Sequence, residues 1–171
     1  FLAAYDASLR RARGVYFTPV SVASFVVRRV DRELRDEVGL ALGVAASTDA
    51  AGRPVHLLDP AAGTGAFLAE SIRLVHQAFQ ENEHRTGAGV VTDAGRERSW
   101  SAFLRERLLP RFHGFELMPA AYAVGHVHLA LTLAETGHRL SSDDVVGVYL
   151  ADALRPDAAA EARREGDLGD A

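Results

Sequence analysis

The sequence predicts an α/β fold, a parallel sheet with helices on its faces. Three observations predict it. Helical patterns alternate with three short apolar runs, in the order helix, strand–helix, strand–helix, strand, and alternation of that kind argues parallel strands. Each apolar run ends in, or just before, an acid: Asp59, Glu116 and Asp152. A turn of small residues, 60–65 (PAAGTG), joins the first run to the helix behind it. Ligands of open parallel sheets bind beyond the carboxyl ends of the strands, so three acids at three such ends are expected to face one crevice.

Residues 1–13 read as a short helix with Leu2, Tyr5 and Leu9 on one face. Arg10, Arg11 and Arg13 lie at its end, a solvated cluster in this reading, and Gly14 stops it. A second helix opens at Thr18-Pro19. Thr is a good N-cap, and Pro suits the first helical position because its missing N–H would be unpaired there anyway. Val22, Phe25, Val26 and Val30 recur at helical spacing opposite Arg28, Arg29, Arg32 and Glu33, and mark the expected apolar face of a helix reaching Val38. Residues 43–54 are small, polar and broken by Gly and Pro, which predicts a loop. Residues 55–59 (VHLLD) are an apolar run of strand length, and 66–80 form an amphipathic helix.

Residues 81–98 are polar and read as a surface insertion. Residues 99–109 look helical, with Trp100 and Phe103 anchoring that insertion on the domain. A second strand is expected over 111–117 (RFHGFEL) and a long apolar helix from Pro119 to the stop at Gly137. A third strand covers 145–150 (VVGVYL), and Asp152 follows at once. Residues 155–171 are Ala-rich and charged without periodicity, which predicts a frayed tail. The sequence shows no internal repeat.

Composition excludes several function classes. The chain has 171 residues, 48% of them hydrophobic and 25% charged, the balance of a soluble globular protein. It has no Cys, so a disulfide framework and a thiolate metal site are ruled out. No apolar run approaches the roughly 20 residues that span a bilayer. The first thirty residues lack the layout of a secretory signal, so the expected location is the cytoplasm. All 19 basic residues are Arg and none is Lys, which removes every mechanism that needs Lys. Net charge is -4, so bulk charge does not predict nucleic-acid binding. His113, His126 and His128 are expected in structural roles, because His126 and His128 are two apart on a helix and do not face each other.

The chemistry concentrates in residues 59–67 (DPAAGTGAF). Small residues between strand and helix let a ligand approach the backbone, and the helix N-terminus supplies free N–H groups. Three readings compete. A phosphate-binding P-loop needs Lys after its last Gly, and Ala66 stands there. A dinucleotide fingerprint needs a third Gly where Leu68 stands. A nucleoside-sulfonium site places an acid at the first strand end for the cationic group, a second for the ribose hydroxyls and a third for the adenine amino group. Asp59, Glu116 and Asp152 fit those tasks in that order.

On these motifs the sequence resembles the amino-terminal half of an N6-adenine DNA methyltransferase of restriction–modification and phage-defence enzymes. Residues 14–19 (GVYFTP) are similar to the family's segment that closes over the methionine end of the cofactor. Residues 59–67 look like its first cofactor motif, 115–117 (FEL) like its ribose motif, and 150–153 (LADA) like the segment that meets adenine. Residues 1–22 and 111–137 resemble the large single-polypeptide enzymes, in which the methyltransferase sits beside a nuclease, a motor and a DNA-recognition domain.

The resemblance implies a Rossmann-like S-adenosylmethionine-dependent methyltransferase fold over residues 1–155, with 156–171 as a flexible tail. It implies S-adenosyl-L-methionine as cofactor and DNA as the partner of the full-length protein. Thr18, with the neighbouring backbone at Pro19, would hold the methionine carboxylate. Ala61, Gly63 and Gly65 would line the methionine and sulfonium, and Asp59 would contact the amino group. Glu116 would accept the ribose hydroxyls, Leu117 would pack on adenine, and Asp152, beside Ala153, would accept the adenine amino group. No metal is implied. The family's Asn/Asp-Pro-Pro-Tyr/Phe motif is absent, since no Pro-Pro dipeptide occurs, and it is expected downstream. Two further expectations follow. The VHLLD strand is left at a sheet edge that invites association. The alternative function is a non-catalytic adenosyl-binding scaffold that gates an attached nuclease or motor; a nicotinamide enzyme is disfavoured by Leu68.

Overall fold

The computed structural model describes residues 18–86 and 93–154. The expected helix over 1–13 with its Arg10, Arg11 and Arg13 cluster, residues 14–17, the middle of the expected insertion and the tail 155–171 lie outside these. Among the described residues four α-helices and three strands follow in the order α1 (Val20–Asp36), β1 (Leu57–Asp59), α2 (Ala66–Thr86), α3 (Asp93–Phe103), β2 (Phe112–Glu116), α4 (Pro119–Glu135) and β3 (Gly147–Leu150). The sheet is parallel, in the order β1-β2-β3. Leu57 pairs with Phe112, Asp59 with Gly114, and Glu116 with Leu150. Within the described sheet β1 is an edge, as expected for VHLLD. Its Leu57 packs on the core while Leu58 is exposed.

The core lies where α2 and α4 pack on the sheet. Leu68, Ala69, Ile72 and Val75 of α2 meet Leu129 and Leu133 of α4, with Phe112 and Val148 beneath them. Trp100 is buried; its Nε1–H donates to Thr136 Oγ1 at 3.1 Å, and its ring packs against His76, Phe79 and Phe103. The expected anchoring role of Trp100 and Phe103 is thus met. The polar stretch read as an insertion over 81–98 is helical on both sides. α2 continues to Thr86 and α3 starts at Asp93. α3 runs on through a π-helical turn (Leu104–Leu108) and a 3-10 turn (Leu109–Arg111). Pro110, which has no N–H to donate, marks the tightening.

Two expectations for α1 need correction. Thr18 is not the N-cap. Pro19 takes that position, with extended ψ of 140°, and its carbonyl accepts the Val22 and Ala23 N–H groups. The residue before a proline is held extended, which leaves the Thr18 hydroxyl one residue outside capping reach. The inward face is also different. Ala23 and Val27 are buried, whereas Val22, Phe25, Val26 and Val30 are exposed, Phe25 by 71%. Ala23, Val27 and Leu34 form a second apolar stripe at helical spacing, and their smaller inner side chains let α1 lie closely on α2 and the turn at Gly43–Ala45.

Two buried polar groups fix the loops around this core. Arg111 is 5% exposed and donates to the carbonyls of Arg107, Val44 and Val55, tying the lead-in of β1 to the start of β2. Burial without a described acid partner pushes its guanidinium down to about 10. Asp144 accepts from Arg105 Nε at 2.7 Å, from the Ser141 N–H and hydroxyl, and pairs with buried His138 at 3.2 Å. His138 also meets Ser101 at 2.9 Å. This network closes the connection between α4 and β3. Among the described residues no helix is long and apolar enough to cross a membrane, and no cluster of three or more potential metal ligands occurs.

Candidate ligand-binding site

The β1–α2 loop is fixed from three sides. From β1, Asp59 Oδ1 accepts the Ala61 N–H at 3.1 Å, a side-chain turn of the kind short acids form two residues on. From β2, the Phe115 carbonyl accepts the Ala62 N–H at 2.9 Å. Glu116 Oε2 accepts the Gly63 N–H at 2.8 Å, and its other oxygen accepts the Met118 N–H at 2.6 Å. From α4, His128 Nδ1 lies 2.8 Å from the Thr64 carbonyl. The loop then turns on itself, Gly65 N–H to Ala62 O at 2.7 Å, and enters α2. Gly63 and Gly65 have φ of +57° and +77°, left-handed values that only Gly adopts without strain.

The electrostatics of the loop are unbalanced. Asp59 Oδ2 is buried and has no hydrogen-bond partner among the described residues. Burial pushes the Asp59 carboxyl above its ordinary value; the Ala61 N–H opposes the shift and the charge of Glu116 adds to it. Two carboxylates at the carboxyl ends of neighbouring strands therefore repel each other in a half-dry setting, with no described cation between them. A positively charged ligand group placed there relieves both.

The third acid joins them through the backbone. The Ala151 N–H donates to the Glu116 carbonyl at 3.0 Å, which brings the segment after β3 against the end of β2. Asp152 follows, half-buried, with Oδ1 on the Leu154 N–H at 3.0 Å. Leu117, 59% exposed, Leu150 and Leu154 expose apolar surface beside these acids. The structure thus brings Asp59, Ala61, Gly63, Gly65, Glu116, Leu117, Asp152 and Ala153 to one end of the sheet. Thr18 and Pro19 stand apart from that network. They begin α1, which packs on α2 and the Gly43–Ala45 turn, and none of the loop's hydrogen bonds described above reaches them.

Sequence reasoning missed two residues of α4. Gly125 is buried, and a Cβ there would stand 3.2 Å from the Gly63 carbonyl oxygen. A Gly inside a long apolar helix was the available signal, since it costs about 1 kcal/mol against Ala and marks a close approach. His128 has a structural role, as expected, but its partner is the ligand loop itself. His126 meets the Val148 carbonyl at 3.3 Å and ties α4 to β3. His113 pairs with His56 at 3.0 Å near the amino ends of their strands.

No known family profile matches the chain, and no curated protein matches it. Solved structures do. The DrdV–DNA complex aligns over 95% of this chain at 21% identity, with a TM-score of 0.61, and over 14% of its own chain. The ATP-dependent Type ISP restriction-modification enzyme LlaBIII, bound to DNA, aligns over 90% at 20% identity and 0.60, and over 9% of its own length. A nuclease-deletion mutant of the Type ISP enzyme LlaGI, in complex with a DNA substrate mimic, aligns over 98% at 20% identity and 0.54, and over 14% of its own chain. This chain spans at most about a seventh of each of those proteins, and it shares the fold of the matching segment.

Proposed function

We propose that this chain is the S-adenosyl-L-methionine-binding part of a DNA adenine-N6 methyltransferase in a restriction–modification or phage-defence enzyme. The observation that carries this reading is the buried, unpartnered Asp59 Oδ2 beside Glu116, an anionic pair at the strand ends awaiting a cation. S-adenosyl-L-methionine brings an ammonium and a sulfonium. Its other groups find matching chemistry in the same crevice. Glu116 keeps acceptor capacity for ribose hydroxyls, because each carboxylate oxygen has two lone pairs and uses one on a backbone N–H. Leu117 offers apolar surface for the adenine ring, and Asp152 with Ala153 supplies an acceptor for the adenine amino group. Ala61, Gly63 and Gly65 leave room for the methionine chain. Thr18 and Pro19 would reach the methionine carboxylate through the segment leading into α1.

When bound, the cofactor supplies an electrophilic methyl group. The chain's own task is to hold it in one orientation and keep water off the apolar side, a proximity contribution to catalysis. The target base would be flipped out of the duplex onto a motif beyond this chain. DNA, a recognition domain, a nuclease and a motor are the proposed partners in the full-length protein. The fold shared with two Type ISP restriction-modification enzymes and with the DrdV–DNA complex supports that assignment.

Calorimetric titration with S-adenosylmethionine and S-adenosylhomocysteine tests the reading, with NAD and Glu116→Ala as controls. Saturable binding of both adenosyl ligands, lost in the variant and absent for NAD, is expected. A folded full-length protein that binds NAD, or no adenosyl ligand, overturns it.

A further inference from the structure

Three residues of α4 meet the ligand loop, and they share one helix face. Gly125, His128 and Leu129 stand at i, i+3 and i+4, which stacks their side-chain positions on one side of a helix. At Gly125 the absence of a side chain admits the Gly63 carbonyl, 3.2 Å from where a Cβ would be. At Leu129 the buried side chain lies 3.3 Å from the position a Cβ on Gly65 would take. Between them, His128 Nδ1 reaches the Thr64 carbonyl at 2.8 Å. A carbonyl oxygen only accepts, so Nδ1 carries the hydrogen and donates it.

We propose that His128 is a positioning residue for the ligand loop. Its bond turns the Thr64–Gly65 peptide toward α4 and holds it there. That peptide lies between Gly63 and Gly65, the loop's two residues with positive φ. Glu116 grips the Gly63 N–H from the sheet side, and His128 grips the Thr64 carbonyl from the helix side. The Thr64–Gly65 peptide is thus held at both ends, its N–H on the Ala62 carbonyl and its carbonyl on His128. The backbone facing the crevice is therefore set before a ligand arrives, and less ordering remains to be done on binding. The effect on adenosyl-ligand affinity rests on the function proposed above. The effect on the loop does not.

Amide hydrogen exchange of the full chain tests the loop directly, in wild type, His128→Ala and His128→Asn. The Asn side-chain N–H can replace the Nδ1 donor. In His128→Ala, exchange across residues 61–66 is expected to quicken about fivefold or more, roughly one hydrogen bond's worth, with β2 and β3 unchanged. His128→Asn is expected to restore most of the protection. Unchanged loop exchange, faster exchange everywhere, or no rescue by Asn overturns the proposal. If His128→Ala does not fold, nitrogen NMR of labelled histidine in the wild type at pH 8 decides. A hydrogen on Nε2 alone sinks the assignment, and one on Nδ1 supports it. Titration with S-adenosylhomocysteine separates the two proposals. Weaker binding in the Ala variant, recovered by Asn, supports both; a full-length wild type that does not bind refutes the functional reading and leaves the exchange result to decide the role of His128.

Discussion

The Glu116 carboxylate accepts the Gly63 N–H at 2.8 Å, so the acid that ends β2 also holds the loop that follows β1. A strand-end acid is usually read for what it offers a ligand. Here it has a second duty, because the same group accepts the Met118 N–H that leads into α4.

Glu116→Ala is therefore expected to lower fold stability as well as abolish ligand binding. Two backbone N–H groups lose a charged acceptor, about 2 kcal/mol in sum. Glu116→Gln keeps one acceptor oxygen and should lose roughly half of that. Urea unfolding of the three proteins checks the order; equal midpoints would remove the structural duty.

Asp59→Asn should move stability and binding in opposite directions. The Asp59 carboxyl is raised by burial, so the folded state takes up its proton more readily than the unfolded chain. Its contribution is favourable below the ordinary value of 3.8 and is lost as pH rises through the raised value in the folded state. At neutral pH the charge is a cost that Asn removes. The variant is expected to match or exceed wild type in melting temperature at pH 7, and to lose that advantage toward pH 4. Its affinity for a cationic adenosyl ligand should fall about tenfold or more.

Asp144 has the opposite sign. The Arg105 hydrogen bond, with the Ser141 contacts and His138, holds its carboxyl well below the usual range against the effect of burial. Stability from this group is fully present above 3.8 and is lost as pH falls through the depressed value. Asp144→Asn is expected to destabilise the protein at pH 7 by about 2 kcal/mol and to flatten its acid-unfolding profile. Thermal melts between pH 2 and 7 give both readings.

Gly65→Ala combines strain with crowding. The residue has φ of +77°, and a Cβ would meet Leu129 at 3.3 Å. The left-handed backbone costs about 1–2 kcal/mol for an Ala. A loss of that size or somewhat larger in chemical denaturation is expected, together with loss of adenosyl binding.

At the sheet edge, the 171-residue chain is expected to associate with rising concentration, because among the described residues β1 is unpaired on one side and presents Leu58. Leu58→Lys should reduce that association. A clean monomer by light scattering at high concentration would remove the edge from consideration.

The alternation of strands and helices was legible because the apolar period changes along the chain, and each element of the described residues stands close to its expected place. Ends were less so. The first strand shortens from 55–59 to Leu57–Asp59 because pairing with β2, not apolar character, defines it. The face of α1 was misread for a related reason. Two apolar stripes share that helix, and only the neighbour it packs on decides between Phe25 and Val27. Asp59, Glu116 and Asp152 were legible because strand ends converge in a parallel sheet. The Glu116–Gly63 and His128–Thr64 bonds were not. They span 53 and 64 positions, and no local pattern carries them.

Those same separations set an order of events as the chain is made. Residues 60–65 leave the ribosome long before either of the groups that hold them. Until Glu116 has emerged the loop lacks its sheet-side acceptor, and until His128 has emerged it lacks its helix-side donor. Loop-closure entropy must be met for both contacts before the crevice exists. A nascent chain ending before α4 therefore has the complete DPAAGTGAF motif held from the sheet side alone.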